Sequence, residues 1–277
     1  MGPISRRRAL GLAGGAALAG ATGALAATEP AGAATAWRNL GVITANIGRD
    51  NLGRRDAAII AVRNALSMEG PQDRPLVGWQ EIGEGDGDEK EKGYINDHFG
   101  PYYNNLHLND GGQLVPISAP KAYNVLAQRV TSVHAGKAGV SPNRVITEVL
   151  LGAADDPALQ FAFLNTHFVA GAYNGKEDPY EAWRDQMWGI HFDKMRDTMS
   201  YWLDRGYPVI WTGDTNRDPM PKFFPAREAR AFANGIDQIG WVLSTNGVQI
   251  QLRNKFTVAM NVDDHDARVA VLQLRRA

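Results

Sequence analysis

The chain of 277 residues contains no cysteine, which excludes disulfide staples, thiolate zinc sites and a cysteine nucleophile, and leaves the fold dependent on its core. It carries almost no net charge, −1 at pH 7 with histidine neutral, so no global pull toward nucleic acid or an anionic membrane follows from composition. It lacks an internal repeat, and its interior has no Pro-, Gly- or Ser-rich linker to divide it. What it does have is 44% hydrophobic residues, in a length that suits one large core. A single α/β domain is the default.

The first residues, "ISRRRALGLAGGAALAGATGALAATEPAGAA", place three arginines before an Ala/Gly/Leu run that ends in small residues. This has the layout of an export signal and not of a spanning helix. Ser5-Arg6-Arg7-Arg8-Ala9-Leu10 resembles a twin-arginine signal, and Ala24-Leu25-Ala26 or Ala31-Gly32-Ala33 would suit a signal peptidase. Residues 1–33 are therefore expected to be removed, leaving residues 34–277 as one mildly acidic, secreted domain. A cysteine-free core gains nothing from oxidation outside the cell, which suits export in the folded state.

Along the mature chain, short β-like runs alternate with longer helical ones. "LGVITANIG" and "RPLVGWQE" read as strands, and between them "RRDAAIIAVRNALSM" puts Ile59, Val62 and Leu66 on one helical face. "RVITEVLLG" and "LQFAFLNTHF" read as a hairpin around Asp155-Asp156-Pro157. The longest helix is expected in "DPYEAWRDQMWGIHFDKMRDTMSYWLDRG", with Trp183, Met187, Ile190, Met195, Met199 and Trp202 as a core stripe and Gly206 as its stop. "IDQIGWVLS", a looser region and the strand "RVAVLQLRR" close the chain.

A polar residue recurs at the ends of the apolar strands: Asn46, Glu81, Asn165 and His167, then Asp214 and Asn216, with Asp264 and His265 before the last strand. Singly, each is explained by a turn or a helix cap. Together they are expected to converge on one rim of an α/β sheet, as an oxygen-rich set that suits Mg²⁺ or Mn²⁺ and not zinc.

In this order the segments resemble those of the endonuclease/exonuclease/phosphatase superfamily: Asn46 after the first strand, Gln80-Glu81, Asn165-Thr166-His167, Gly213-Asp214-Thr215-Asn216, "IDQI" at 236–239, and Asp264-His265. The resemblance implies a four-layer α/β sandwich, two mixed sheets packed face to face with helices outside. It implies a phosphoester hydrolase, expected from the N-terminal segment to be secreted, in which Glu81, Asn46 and Asp264 belong to a Mg²⁺ (or Mn²⁺) site and Asp214 aligns or deprotonates the attacking water. Asn216 would bond the phosphate or that water, His167 would lie close to the phosphate, and Asp237 would orient His265, which stabilises the transition state. Arg144 and Asn165 would bind substrate. A monomer without membrane insertion is expected, acting most simply as a nuclease. The alternatives are a phosphatase, a sphingomyelin-type phosphodiesterase, or a catalytically silent binding protein of the same fold.

The loops leave the substrate open. "GEGDGDEKEKGY" starts like a calcium loop at Glu84, Asp86 and Asp88, but Glu89 stands where glycine is needed and Ile95 where the bidentate glutamate belongs, so it reads as a solvated acidic loop. Against it stand Lys176, Arg217, Lys222, Arg227 and Arg230, giving a rim divided in sign that fits a nucleic acid strand, a small phosphoester or a lipid head group. No long hydrophobic loop favours the lipid. His98, His107, His134 and His191 match no motif and are expected to be structural or exposed.

Overall fold

A computed structural model describes residues 35–48, 52–66, 74–83, 90–172, 182–245, 247–262 and 265–277. Residues 1–33, read above as an export signal, Lys176, Asp264 and residues 84–89 of the acidic loop lie outside them. Twelve strands and three α-helices follow in the order β1 (Arg38–Asn46), α1 (Arg55–Arg63), β2 (Leu76–Gln80), α2 (Lys90–Phe99), β3 (Tyr103–Leu106), β4 (Ile117–Pro120), β5 (Tyr123–His134), β6 (Arg144–Ala153), β7 (Gln160–His167), α3 (Trp183–Leu203), β8 (Val209–Asp214), β9 (Glu228–Arg230), β10 (Asp237–Val242), β11 (Val248–Val262) and β12 (His265–Arg276).

The strands form two six-stranded sheets, ordered β11-β12-β1-β2-β4-β3 and β5-β6-β7-β8-β10-β9. Each is antiparallel except for one parallel pair, β1 with β2 and β7 with β8. A parallel pair needs a crossover, and the crossovers are α1 and α3. Both sheets are therefore mixed and both carry helices on their outer faces, which makes the expected four-layer sandwich.

The two-residue period of the strands sorts their side chains between layers. In β1, Leu40 and Val42 enter the core between the sheets, while Ile43 and Ala45 pack outward with Ile59 and Val62 of α1. In β7, Phe161 and Phe163 face the other sheet, while Ala162 and Leu164 pack outward in the cluster of Met195, Met199 and Trp202 of α3. Because both faces are covered, these strands read as nearly continuous apolar runs. Asp155 and Asp156, in the β6–β7 turn, also pair with Arg38 and Arg276.

Two expectations change. Ile190 is 38% exposed; the buried face of α3 includes Trp188, His191 and Thr198 with the methionines, while Trp183 and Met187 are half-buried. The looser region before the last strand is instead β11, at 15 residues the longest described strand. "IDQIGWVLS" contains β10, paired in register with β8. Gly206 ends α3 as expected, at φ 87°, a conformation glycine adopts without strain.

Candidate active site

The same parity builds the site. Asn46, His167, Asp214 and Asp237 share the face of their strands that looks into the space between the sheets, and each stands at a strand terminus. In register, His167 lies opposite Asp214 and Asp214 opposite Asp237. One layer deeper lies a polar tier of Thr44, Gln80, Asn165 and Thr212, each fully buried.

That tier corrects the expectation for Asn165. Its Nδ2 donates to the carbonyls of Trp79, Val115 and Pro116 at 2.7, 3.1 and 3.0 Å, and its Oδ1 accepts from Gln80 Nε2 at 2.6 Å and Thr212 Oγ1 at 3.0 Å. All its polar atoms are committed to tying one sheet to the other, so it is not free to bind substrate. The sheets approach so closely here that a Cβ on Gly78 would fall 2.1 Å from Thr212 Oγ1 and 2.5 Å from Asn165 Oδ1.

Above the tier, Asn46 spans two acids. Its Nδ2 donates to Asp214 Oδ2 at 2.9 Å and to Glu81 Oε1 at 3.3 Å, and its Oδ1 accepts from the Gly48 N–H at 3.0 Å. The Gly48 donor fixes which end of the amide is oxygen. Asn46 therefore meets the carboxylates through a nitrogen that offers a metal no lone pair, so any contact with an ion falls to its Oδ1, which also accepts from Gly48. Glu81 is held at φ 60° and Asn216 at φ 49°, left-handed backbone that costs a glutamate about 1–2 kcal/mol and marks a locally constrained site.

Asn216 closes around Asp214. Its N–H donates to Asp214 Oδ1 at 2.9 Å, and its Nδ2 donates to Asp214 Oδ2 and the Phe168 carbonyl, both at 3.2 Å. Even so, burial pushes the Asp214 carboxyl up to about 7, with Asp237 adding to the rise, while His265, Asn216 and Asn46 oppose it. His265 is the counterweight: its Nδ1 lies 2.9 Å from Asp237 Oδ2 and its Nε2 lies 3.9 Å from Asp214 Oδ2. Burial alone would lower its pKa, but the hydrogen bond and charge of Asp237, with Asp214 and Glu81, raise it to about 9. The ring is thus imidazolium at neutral pH.

His167 Nε2 lies 3.4 Å from Asp214 Oδ2 and 3.9 Å from Glu81 Oε1, and Arg144 Nη1 lies 3.2 Å from its Nδ1. A guanidinium only donates, so Nδ1 accepts and Nε2 carries the proton toward the acids. Arg144, expected on the substrate, is buried and sits behind His167. Of the basic rim residues, Arg230 is also withdrawn: it bonds Glu228 Oε1 and the carbonyls of Met220 and Pro221. Arg217 stacks over Trp188 and Arg227 over Phe224, while Lys222 is exposed.

Asp214, Asp237 and His265 lie close enough to share a cation, but the Asp237–His265 contact has the length of a hydrogen bond, which holds a proton where the ion would have to enter. The carboxylate of Glu81, which shares the Asn46 amide with Asp214, is the better hard-cation donor. A carboxylate oxygen donor of this kind fits a hard cation such as Mg²⁺ or Mn²⁺.

Two packed mixed sheets, with the polar strand ends gathered at one mouth of the sandwich, define the endonuclease/exonuclease/phosphatase fold. No protein-family model and no curated protein sequence matches the chain. Among solved structures it is similar to an endonuclease/exonuclease/phosphatase family protein from Bacteroides thetaiotaomicron, at 13% identity over 86% of this chain and 99% of that one, TM-score 0.59. A mannosyl-6-phosphatase of the same bacterium matches at 13% over 84% and 99%, TM-score 0.59. TDP2 from D. rerio, complexed with a single-strand DNA product, matches at 12% over 84% and 98%, TM-score 0.56.

Proposed function

We propose that the protein is a secreted, divalent-metal-dependent phosphoesterase that hydrolyses a phosphodiester by in-line attack of water. The observation that carries this reading is that Asp214, held by Asn46 and Asn216, faces His265 Nε2 at 3.9 Å while Asp237 holds the other ring nitrogen at 2.9 Å, in one mouth; burial raises the carboxyl and the carboxylates raise the histidine. A base near neutrality and a cation beside it are what hydrolysis of an anionic ester requires.

Asp214, held by Asn46 and Asn216, would orient the water and take its proton. His265, kept charged by Asp237, would stabilise the negative charge that grows on the phosphoryl oxygens. His167 would offer its Nε2–H to a phosphate oxygen, with Arg144 keeping the proton on that nitrogen. Glu81 would hold the Mg²⁺ or Mn²⁺, joined by Asp264 next to His265 in sequence, and the ion would supply charge neutralisation at the phosphate. The intact set of acids and histidines speaks against a silent binding protein.

A nuclease is the simplest substrate reading, and the fold serves the DNA-bound TDP2 as well as a sugar phosphatase. The withdrawal of Arg144 and Arg230 from the rim favours a second one, a small phosphoester that needs no long cationic track. The described residues include no helix long and apolar enough to cross a membrane, and a monomer is proposed. Purified protein with Mg²⁺ or Mn²⁺ should be assayed on plasmid DNA, RNA, bis-p-nitrophenyl phosphate and sphingomyelin. Hydrolysis of none of them sinks the proposal.

A further inference from the structure

Helix α3 turns three N–H donors toward the segments that carry the site. Arg184, Trp188 and His191 are spaced i, i+4 and i+7, so they share one helical face. Arg184 Nη1 donates to the Ala170 carbonyl at 2.6 Å and Trp188 Nε1 to the Thr215 carbonyl at 2.8 Å, and His191 Nε2 meets Thr166 Oγ1 at 2.7 Å. These acceptors lie just past His167, between Asp214 and Asn216, and just before His167.

His191 does the most. It is fully buried, and its ring stacks on Phe168 with centroids 3.8 Å apart and planes 8° from parallel. The Thr166 hydroxyl donates its one proton to the Val145 carbonyl at 2.7 Å, so it must accept from the imidazole, and His191 carries its proton on Nε2. Its Nδ1 is buried without a hydrogen-bond partner, as an unprotonated nitrogen can be. Burial, with His134 and Arg144 acting in the same direction, holds the pKa well below 6.5, so the ring stays neutral and the donor stays in place.

Each partner of His191 adjoins a site residue. Thr166 precedes His167, and Val145 follows Arg144. The Phe168 N–H donates to the Asp214 carbonyl at 2.9 Å, and its carbonyl accepts from Asn216 Nδ2 at 3.2 Å. We propose that His191 is a positioning residue: its hydrogen bond to Thr166 sets where His167 and, through Phe168, the Asp214–Asn216 segment stand, while the stack on Phe168 is packing. The kinetic consequence rests on the phosphoesterase reading, whereas the positioning itself does not.

A histidine that only filled space would be replaceable by another ring. His191→Phe keeps the ring and the stack but has no donor, and His191→Gln keeps an amide donor of similar reach. Thr166→Val removes the acceptor. For each we would measure kcat and KM on a phosphoester substrate, and amide hydrogen exchange at Phe168 and Asn216. His191→Phe is expected to lose about 10- to 100-fold in kcat, as small misplacements of reacting groups do, with KM changed by less than about twofold. His191→Gln should recover most of that loss, and the His191→Phe/Thr166→Val double variant should lose no more than the deeper single one. Exchange at Phe168 should rise in His191→Phe and Thr166→Val and return toward wild type in His191→Gln. Wild-type kcat and exchange in His191→Phe overturn the proposal, as does a His191→Gln loss as deep as that of His191→Phe. If the wild type hydrolyses no phosphoester, the functional reading fails and exchange alone decides: a rise with recovery in His191→Gln sustains the positioning role, and unchanged exchange ends it. Should His191→Phe not fold, Thr166→Val gives the same readout with the histidine in place.

Discussion

Asp237 and His265, 28 residues apart in the chain, meet at 2.9 Å between Oδ2 and Nδ1, and the other ring nitrogen faces Asp214. One opens β10 and the other opens β12, so the contact joins the two sheets across the mouth of the sandwich.

On the proposed mechanism that contact makes the two residues one functional unit. His265→Ala should lower turnover by about 10²–10⁴, the usual range for a positioned acid–base or electrostatic group. Asp237→Asn should cost less, and should add little in the double variant. Losses that simply multiply would separate the pair.

The pKa shifts give signs that can be measured. The proposed mechanism needs Asp214 deprotonated and His265 protonated, so it predicts a bell-shaped pH–rate profile with limbs near 7 and 9, the lower limb moving down as a bound metal saturates. Both groups have folded pKa values raised above their ordinary ones, so both remove stability as pH rises. The contribution of His265 is complete below about 6.5 and lost through about 9, while that of Asp214 is complete below about 3.8 and lost through about 7. Asp214→Asn should therefore raise the Tm of metal-free protein at pH 8, give no gain near pH 3.5, and abolish turnover. A Tm that falls at pH 8 would contradict the electrostatic account.

Asn165 tests the polar tier. Asn165→Ala leaves three buried carbonyls and the Gln80 and Thr212 donors without their partner, and should cost about 2–4 kcal/mol of folding stability. KM of the folded fraction should stay near wild type. A raised KM with unchanged denaturation midpoint would return Asn165 to the substrate.

These residues also mark what the sequence could and could not disclose. The strands were legible because buried strands show as apolar runs, the four-layer arrangement came only from the resemblance of the motifs to a known family, and the mouth was legible because each run ends in a polar residue. Depth was not. Asn165 and His167 stand in one short motif, yet two residues of strand carry one of them a tier down into the sheet interface. Arg144 looked like a substrate ligand because a sequence does not show that its partner is a histidine ring. β11 was missed although Val248, Ile250 and Leu252 alternate with Gln249, Gln251 and Arg253 as in a half-buried strand; lying at a sheet edge, it offers no continuous apolar run of the kind that marked the central strands. His191 looked idle because its acceptor, Thr166, lies 25 residues away.

Export has its own test. The Arg6–Arg7 pair is proposed to send the protein out already folded, so replacing both by lysine should hold it inside the cell. Secretion of the double variant at the wild-type level would assign it to the general route.

The central claim is most directly tested by hydrolysis of bis-p-nitrophenyl phosphate or plasmid DNA by the purified protein, before and after exhaustive chelation and again after adding Mg²⁺ or Mn²⁺. The account predicts turnover that chelation abolishes and the ion restores, through the oxygen ligands at Glu81. Full turnover in the chelated protein would contradict it.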